Sequence, residues 1–158
     1  MHASRTVLAV VVAITALAAA CSRDAGSRRA PMPPDEATEL LHQRIWLDQE
    51  PRKESDSFHV LVFDGEQSGV IQTRTIWKGS FEIFLYEAQS GRIDLRLPAS
   101  RKRLHTGFTI EPAKRGQADV KLTLQKSPSG PTVYYGYRFD GGDADAWLAK
   151  TFGAAPSD

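Results

Sequence analysis

The sequence predicts an all-β domain, an antiparallel sandwich or barrel of about eight short strands, with a short helix before them and another after. Two observations carry that expectation. Apolar and polar residues alternate in short runs, which puts one side chain set on a dry face and the other on a wet one. Between the runs recur the turn-forming pairs Asp64-Gly65, Lys78-Gly79, Ser90-Gly91, Arg115-Gly116 and Ser129-Gly130, at the spacing of consecutive hairpins. The 158 residues hold one such domain, and the 41% hydrophobic content is enough to give it a core. Twenty Lys and Arg against 19 Asp and Glu leave a net charge of +1, so no overall field gathers nucleic acid. A single cysteine excludes an internal disulfide and a thiolate zinc cluster.

Taken in chain order, residues 1–20 read as a signal peptide. Thr6 to Ala20 is a 15-residue uncharged apolar run behind Arg5, ending in small residues. It is shorter than the ~20 residues a spanning helix needs. The stretch Leu17-Ala18-Ala19-Ala20-Cys21 resembles a bacterial lipobox, with Ala18 in the place usually held by Leu. That resemblance implies a lipoprotein whose Cys21 is lipidated, carrying diacylglyceryl on its sulfur and further acyl chains such as palmitate. It implies the cell envelope as location, and Ser22 after the cysteine implies the periplasmic face of the outer membrane. The alternative is an ordinary secretory peptide cut near Ala20, leaving Cys21 a free thiol. Losing Arg5 with the leader takes the charge from 20 − 19 = +1 to 19 − 19 = 0. Residues 21–34, charged and Pro-rich without periodicity, read as a flexible tether.

The domain spans 35–153. Asp35 precedes Glu36-Ala37-Thr38-Glu39-Leu40-Leu41, the pattern of an N-cap with acidic first-turn residues. Strands follow around Ile45-Trp46-Leu47, over Phe58–Phe63, Val70–Trp77 and Phe81–Tyr86, then over the cleaner runs Ile93–Leu97, Leu104–Ile110, Val120–Leu124 and Val133–Phe139. The earlier runs are apolar on both faces, so their outer faces are expected to be covered. Asp143 to Gly153 reads as a capped helix with Ala144, Trp147, Leu148 and Phe152 on one face, expected to lie outside the sheet over those strands.

A helix, a Trp-bearing first strand, a regular run of hairpins and a last helix resemble the calycin or lipocalin-like up-and-down barrel. Arg44-Ile45-Trp46 keeps the family's first-strand Trp without its Gly, and Arg138 stands where the family's Arg packs across that Trp. The resemblance implies an interior just wide enough to be filled or to hold one small ligand. Its ligand-facing residues would be Trp46, Trp77, Phe81, Phe108, Tyr135 and Tyr137, with Phe139 in the same inward set. Two functions follow: a membrane-anchored carrier of a small apolar molecule, or a filled barrel acting as an interaction module in envelope assembly.

No Gly-x-Ser-x-Gly, His-Glu-x-x-His, P-loop or dinucleotide fingerprint occurs, and the histidines lack metal-ligand spacing. The reading therefore expects no enzyme, no cofactor, no metal and no nucleic-acid partner. One stretch is asymmetric: Arg92, Arg96, Arg101, Lys102 and Arg103 form a basic patch, either a charged exterior that blunts aggregation or a docking site for anionic lipid or an acidic partner.

Overall fold

The computed structural model describes residues 30–65, 67–139 and 143–153. The expected leader, Cys21, the tether up to residue 29 and the Asp140-Gly141-Gly142 turn lie outside the described residues. The elements are α1 (Pro34–His42), β1 (Arg44–Leu47), β2 (Phe58–Phe63), β3 (Ser68–Arg74), β4 (Gly79–Gln89), β5 (Arg92–Leu97), β6 (Lys102–Arg115), β7 (Ala118–Leu124), β8 (Val133–Arg138) and α2 (Ala144–Phe152). All neighbouring strands are antiparallel, and β1 pairs with both β2 and β8. The strands thus run in sequence order around a closed barrel. Closure decides between sandwich and barrel, and it leaves no open sheet edge.

Helix α1 starts two residues earlier than expected. Pro34 takes the first helical position, where its missing N–H has no intrahelical partner to lose. Pro33, with no side-chain cap, stands where Asp35 was expected. Asp35 and Glu36 instead lie in the first turn, where the helix dipole favours negative charge. Ala37 and Leu41 are buried, packed with the residues that line the barrel. The Leu41 carbonyl, in the last turn where no intrahelical N–H reaches it, accepts the Trp46 indole N–H at 3.1 Å. The helix is thereby tied to the first strand across one end of the barrel.

Inside the barrel, Trp46, Leu61, Phe63, Ile71, Phe84, Tyr86, Phe108 and Tyr134 meet the inward rows Ile93, Leu95, Leu97 of β5 and Val120, Leu122, Leu124 of β7. Phe63 packs edge-on against Phe84 and Tyr86, with centroids 5.4 and 5.1 Å apart. Trp46 lies directly across from Gly136. A Cβ there would come within 2.8 Å of the indole and 2.6 Å of Val120. Gly136, not Arg138, is therefore what the indole rests on. Arg138 is largely exposed and reaches Asp119 at 3.4 Å, beside the closer Arg44–Asp119 pair at 3.0 Å. The role that the resemblance gave Arg138 does not hold.

A second apolar cluster lies outside. Ile45, Leu47, Phe58, Val60, Ile76 and Tyr137 are covered by Leu148, with Trp147 and Phe152 of α2 packed against them. Asp143 Oδ1 accepts the Ala146 N–H at 3.3 Å, as a cap should. This cover explains a reversal in β8: Tyr135, Tyr137 and Phe139 were expected inside, yet they pack outward in this cluster, and Tyr134 and Gly136 point in. Both faces of β8 are apolar because both are covered, so alternation alone could not say which was the interior.

Candidate functional surface

The six residues expected to line one ligand site are not brought together. Trp46 and Phe108 are interior. Tyr137 is buried beneath α2 and donates its hydroxyl to Glu50 Oε1 at 2.7 Å. Tyr135 carries the Arg115 guanidinium 4.3 Å above its ring. Trp77 and Phe81 face solvent. Only two of the six belong to the barrel interior, and those two are packed into its core.

Burial of the remaining interior polar groups is satisfied locally. Among the described residues, no buried side-chain nitrogen or oxygen lacks a hydrogen-bond partner. Tyr134 shares its hydroxyl with Ser129 at 2.9 Å and Ser127 at 3.4 Å. Tyr86 donates to the Asp64 carbonyl at 2.7 Å and lies 3.0 Å from His42 Nδ1. With the tyrosine proton on the carbonyl, the His42 ring N–H donates to the hydroxyl oxygen. This triangle joins α1, the β2–β3 turn and β4.

Burial, and secondarily the Asp64 carboxylate, push the Tyr86 hydroxyl up to about 12. A group whose folded pKa is raised contributes stability that is intact below its unfolded value of about 10 and lost as pH climbs through the folded value. The barrel should therefore weaken between about pH 10 and 12, and Tyr86→Phe should flatten that part of the stability curve. Urea midpoints measured across the range check both; an equally steep loss in the variant would assign it to other groups.

The outer wall holds the exposed features. Trp77, Phe81, Ile83 and Leu85 keep 58%, 69%, 53% and 45% of their surface in water. The cover expected over the early strands reaches β1 and β2 through α2, but among the described residues none covers the outer face of β4, and that expectation is corrected for β4. Alternation along β4 sends Phe84 and Tyr86 inward, so Phe81, Ile83 and Leu85 form one outward row. Trp77 is held at the end of this row by the β3–β4 turn. Arg74 donates to the carbonyls of Thr75 at 3.0 Å and Ile76 at 2.8 Å. Ile76 is buried in the outer cluster, which leaves its neighbour Trp77 outside.

The basic patch lies beside that row. Arg92, Arg96, Arg101, Lys102 and Arg103 are all exposed. Leu85 stands opposite Arg96, and Arg96 opposite Arg103, in one row across β4, β5 and β6. Like charges facing one another on a sheet repel, and among the described residues neither arginine makes an ion pair. An open depression of about 360 Å³ is lined there by Leu85, Glu87, Asp94, Arg96, Arg103 and His105. At the next hairpin Arg101 holds a left-handed φ of +56°, a conformation in which glycine would be unstrained. Asp94 Oδ1 is hydrogen-bonded to the His105 ring at Nδ1. The sequence singled out the arginines, Trp77 and Phe81 as separate features, and it missed Ile83 and Leu85. Their signal was the doubly apolar β4 run.

Among the described residues, no group of three or more His, Cys, Asp or Glu converges as metal ligands do. No protein-family model, curated protein or solved structure compared with the chain matches it.

Proposed function

We propose that this chain is a membrane-anchored envelope lipoprotein whose barrel is a filled, non-catalytic interaction module that works through its outer wall. The observation that carries this reading is the interior itself. The inward rings of Phe63, Phe84 and Tyr86 pack on one another and share one core with Trp46 and the aliphatic rows of β5 and β7, and α1 closes one end. Interiors packed in this way leave few voids larger than a water molecule. A carrier would need one large enough for its cargo. The exposed apolar and cationic side chains, in contrast, sit together on one wall. Cys21, bearing acyl chains, would supply stable attachment, since two chains hold where one is marginal.

The test is native mass spectrometry of the chain from Ser22 onward, purified without detergent. Bare protein is expected. A stoichiometric co-purifying lipid or other apolar molecule would overturn the filled-module reading in favour of the carrier.

A further inference from the structure

We infer that the outer face of β4, β5 and β6 docks on an anionic phospholipid surface, with Trp77, Phe81, Ile83 and Leu85 entering the bilayer interface and Arg96 and Arg103 binding headgroup phosphates. This deepens the proposed function, because it names the partner of the outer wall, and it rests on that reading.

The charge arrangement is the first ground. Arg96 and Arg103 face each other across β5 and β6 with no carboxylate paired to either among the described residues. Two facing guanidiniums are relieved by an anion that accepts from both, and guanidinium is the side chain best shaped for phosphate oxygens. The acidic groups on the same face, Glu87 and Asp94, face each other two register positions further along β4 and β5, and Asp94 is hydrogen-bonded to His105.

The second ground is the order of the side chains. The apolar row of β4 lies one strand from Arg96 and two from Arg103, that is, ~5 and ~10 Å away. An interfacial element has this layout: apolar groups sunk ~5–10 Å below the headgroups and cations at phosphate level. Trp77 and Lys78 sit together at the tip of the β3–β4 turn, the pairing of indole and cation that anchors elements at the membrane surface. Four apolar side chains are also few for a stable protein interface, which draws on ~20–30 residues a side.

Chain length is the third. Met32 is held to the Ile110 carbonyl of β6 at 2.8 Å. Ala30, where the described chain begins, is nine residues beyond Cys21. Nine residues reach at most ~32 Å. An anchor at Cys21 therefore holds Ala30, two residues from the contact with β6, within about that distance of the same membrane.

The full-length chain supplies its own probe in Trp77. It is reconstituted with vesicles of phosphatidylcholine, with or without one-third phosphatidylglycerol, in which part of the phosphatidylcholine carries bromine on its acyl chains. The Trp77 signal is the difference between the chain and its Trp77→Phe variant. Flotation reports, separately, whether the chain is membrane-held. Docking predicts strong quenching of Trp77 in the anionic vesicles and several-fold less in the neutral ones. In Arg96→Glu/Arg103→Glu the quenching should fall by at least fivefold, about the effect of one lysine or arginine near an anionic surface. Unchanged emission from Trp46 and Trp147, read in the Trp77→Phe background, shows that this variant is folded. A chain that floats with Trp77 unquenched in the anionic vesicles overturns the inference and leaves the face to a protein partner. Equal quenching in neutral vesicles overturns it too. A chain that floats with neither vesicle overturns both docking and anchoring, whereas a bound ligand in the mass spectrum would overturn the filled-module reading and leave the Trp77 result standing.

Discussion

Trp46→Ala should destabilise the barrel by about 3–5 kcal/mol, the range for deleting a fully buried tryptophan. Domains of this kind hold only ~5–15 kcal/mol in all, so the loss removes a large share of the barrel's stability. The effect belongs at the upper end for two structural reasons. The indole is completely buried against Gly136, so its loss leaves a hole that no neighbouring side chain on β8 is placed to fill. It also donates to the Leu41 carbonyl, so α1 loses the bond that fastens its last turn to β1. Urea unfolding followed by far-UV circular dichroism gives the number. A change under 1 kcal/mol would mean that the barrel end is held by something other than this contact.

Gly69→Val should be almost as damaging, for the opposite reason. Gly69 lies inward on β3, opposite Phe84 on one side and Phe63 on the other. A Cβ there would overlap the Phe84 ring and the Val62 carbonyl. The ring cannot withdraw, because it is fully buried and packed edge-on against Phe63. Overpacking a closed core costs ~1–3 kcal/mol and occasionally more, and valine adds three carbons to a site with room for none. Pairing Gly69→Val with Phe84→Leu should recover part of the loss, because residues in contact are not additive. Strict additivity in the double variant would show that the two do not compete for the same space.

How much of this was legible in the sequence depended on what covers each strand's outer face. In β5 and β7 the outer positions are mainly charged or hydroxylic, so alternation assigned Ile93, Leu95, Leu97 and Val120, Leu122, Leu124 to the interior without ambiguity. The same logic placed Phe108 and Ile110 of β6. In β8 it failed, because α2 makes the outer wall as apolar as the inner one, and the larger set, Tyr135, Tyr137 and Phe139, turned out to be the outer. The sequence did identify the covering face of α2 correctly. What it could not supply was the strand that this face would choose, since that depends on where the chain has returned to β1. In β4 the two apolar faces were visible, but only the fold shows that no described element covers one of them.

The candidate surface was legible in part for a related reason. Charge density along the chain drew attention to Arg92 through Arg103, because those residues are close in sequence. The apolar row beside them belongs to a different strand, and only the register that puts Leu85 opposite Arg96 joins the two. Gly69 and Gly136 carried no readable signal either. A glycine inside a strand marks a close approach, but which ring approaches is a property of the partner strand.

The central claim, that the barrel is full, is tested most directly by titrating the wild-type chain with benzene while following the Trp46 indole N–H resonance. A packed interior offers the probe no room, so that resonance should stay where it is, while the Trp46→Ala chain, if enough of it remains folded, should take up the probe in the space the indole leaves. A saturable shift of the Trp46 signal in the wild-type chain would contradict the claim, for it would reveal a standing apolar cavity at the heart of the barrel.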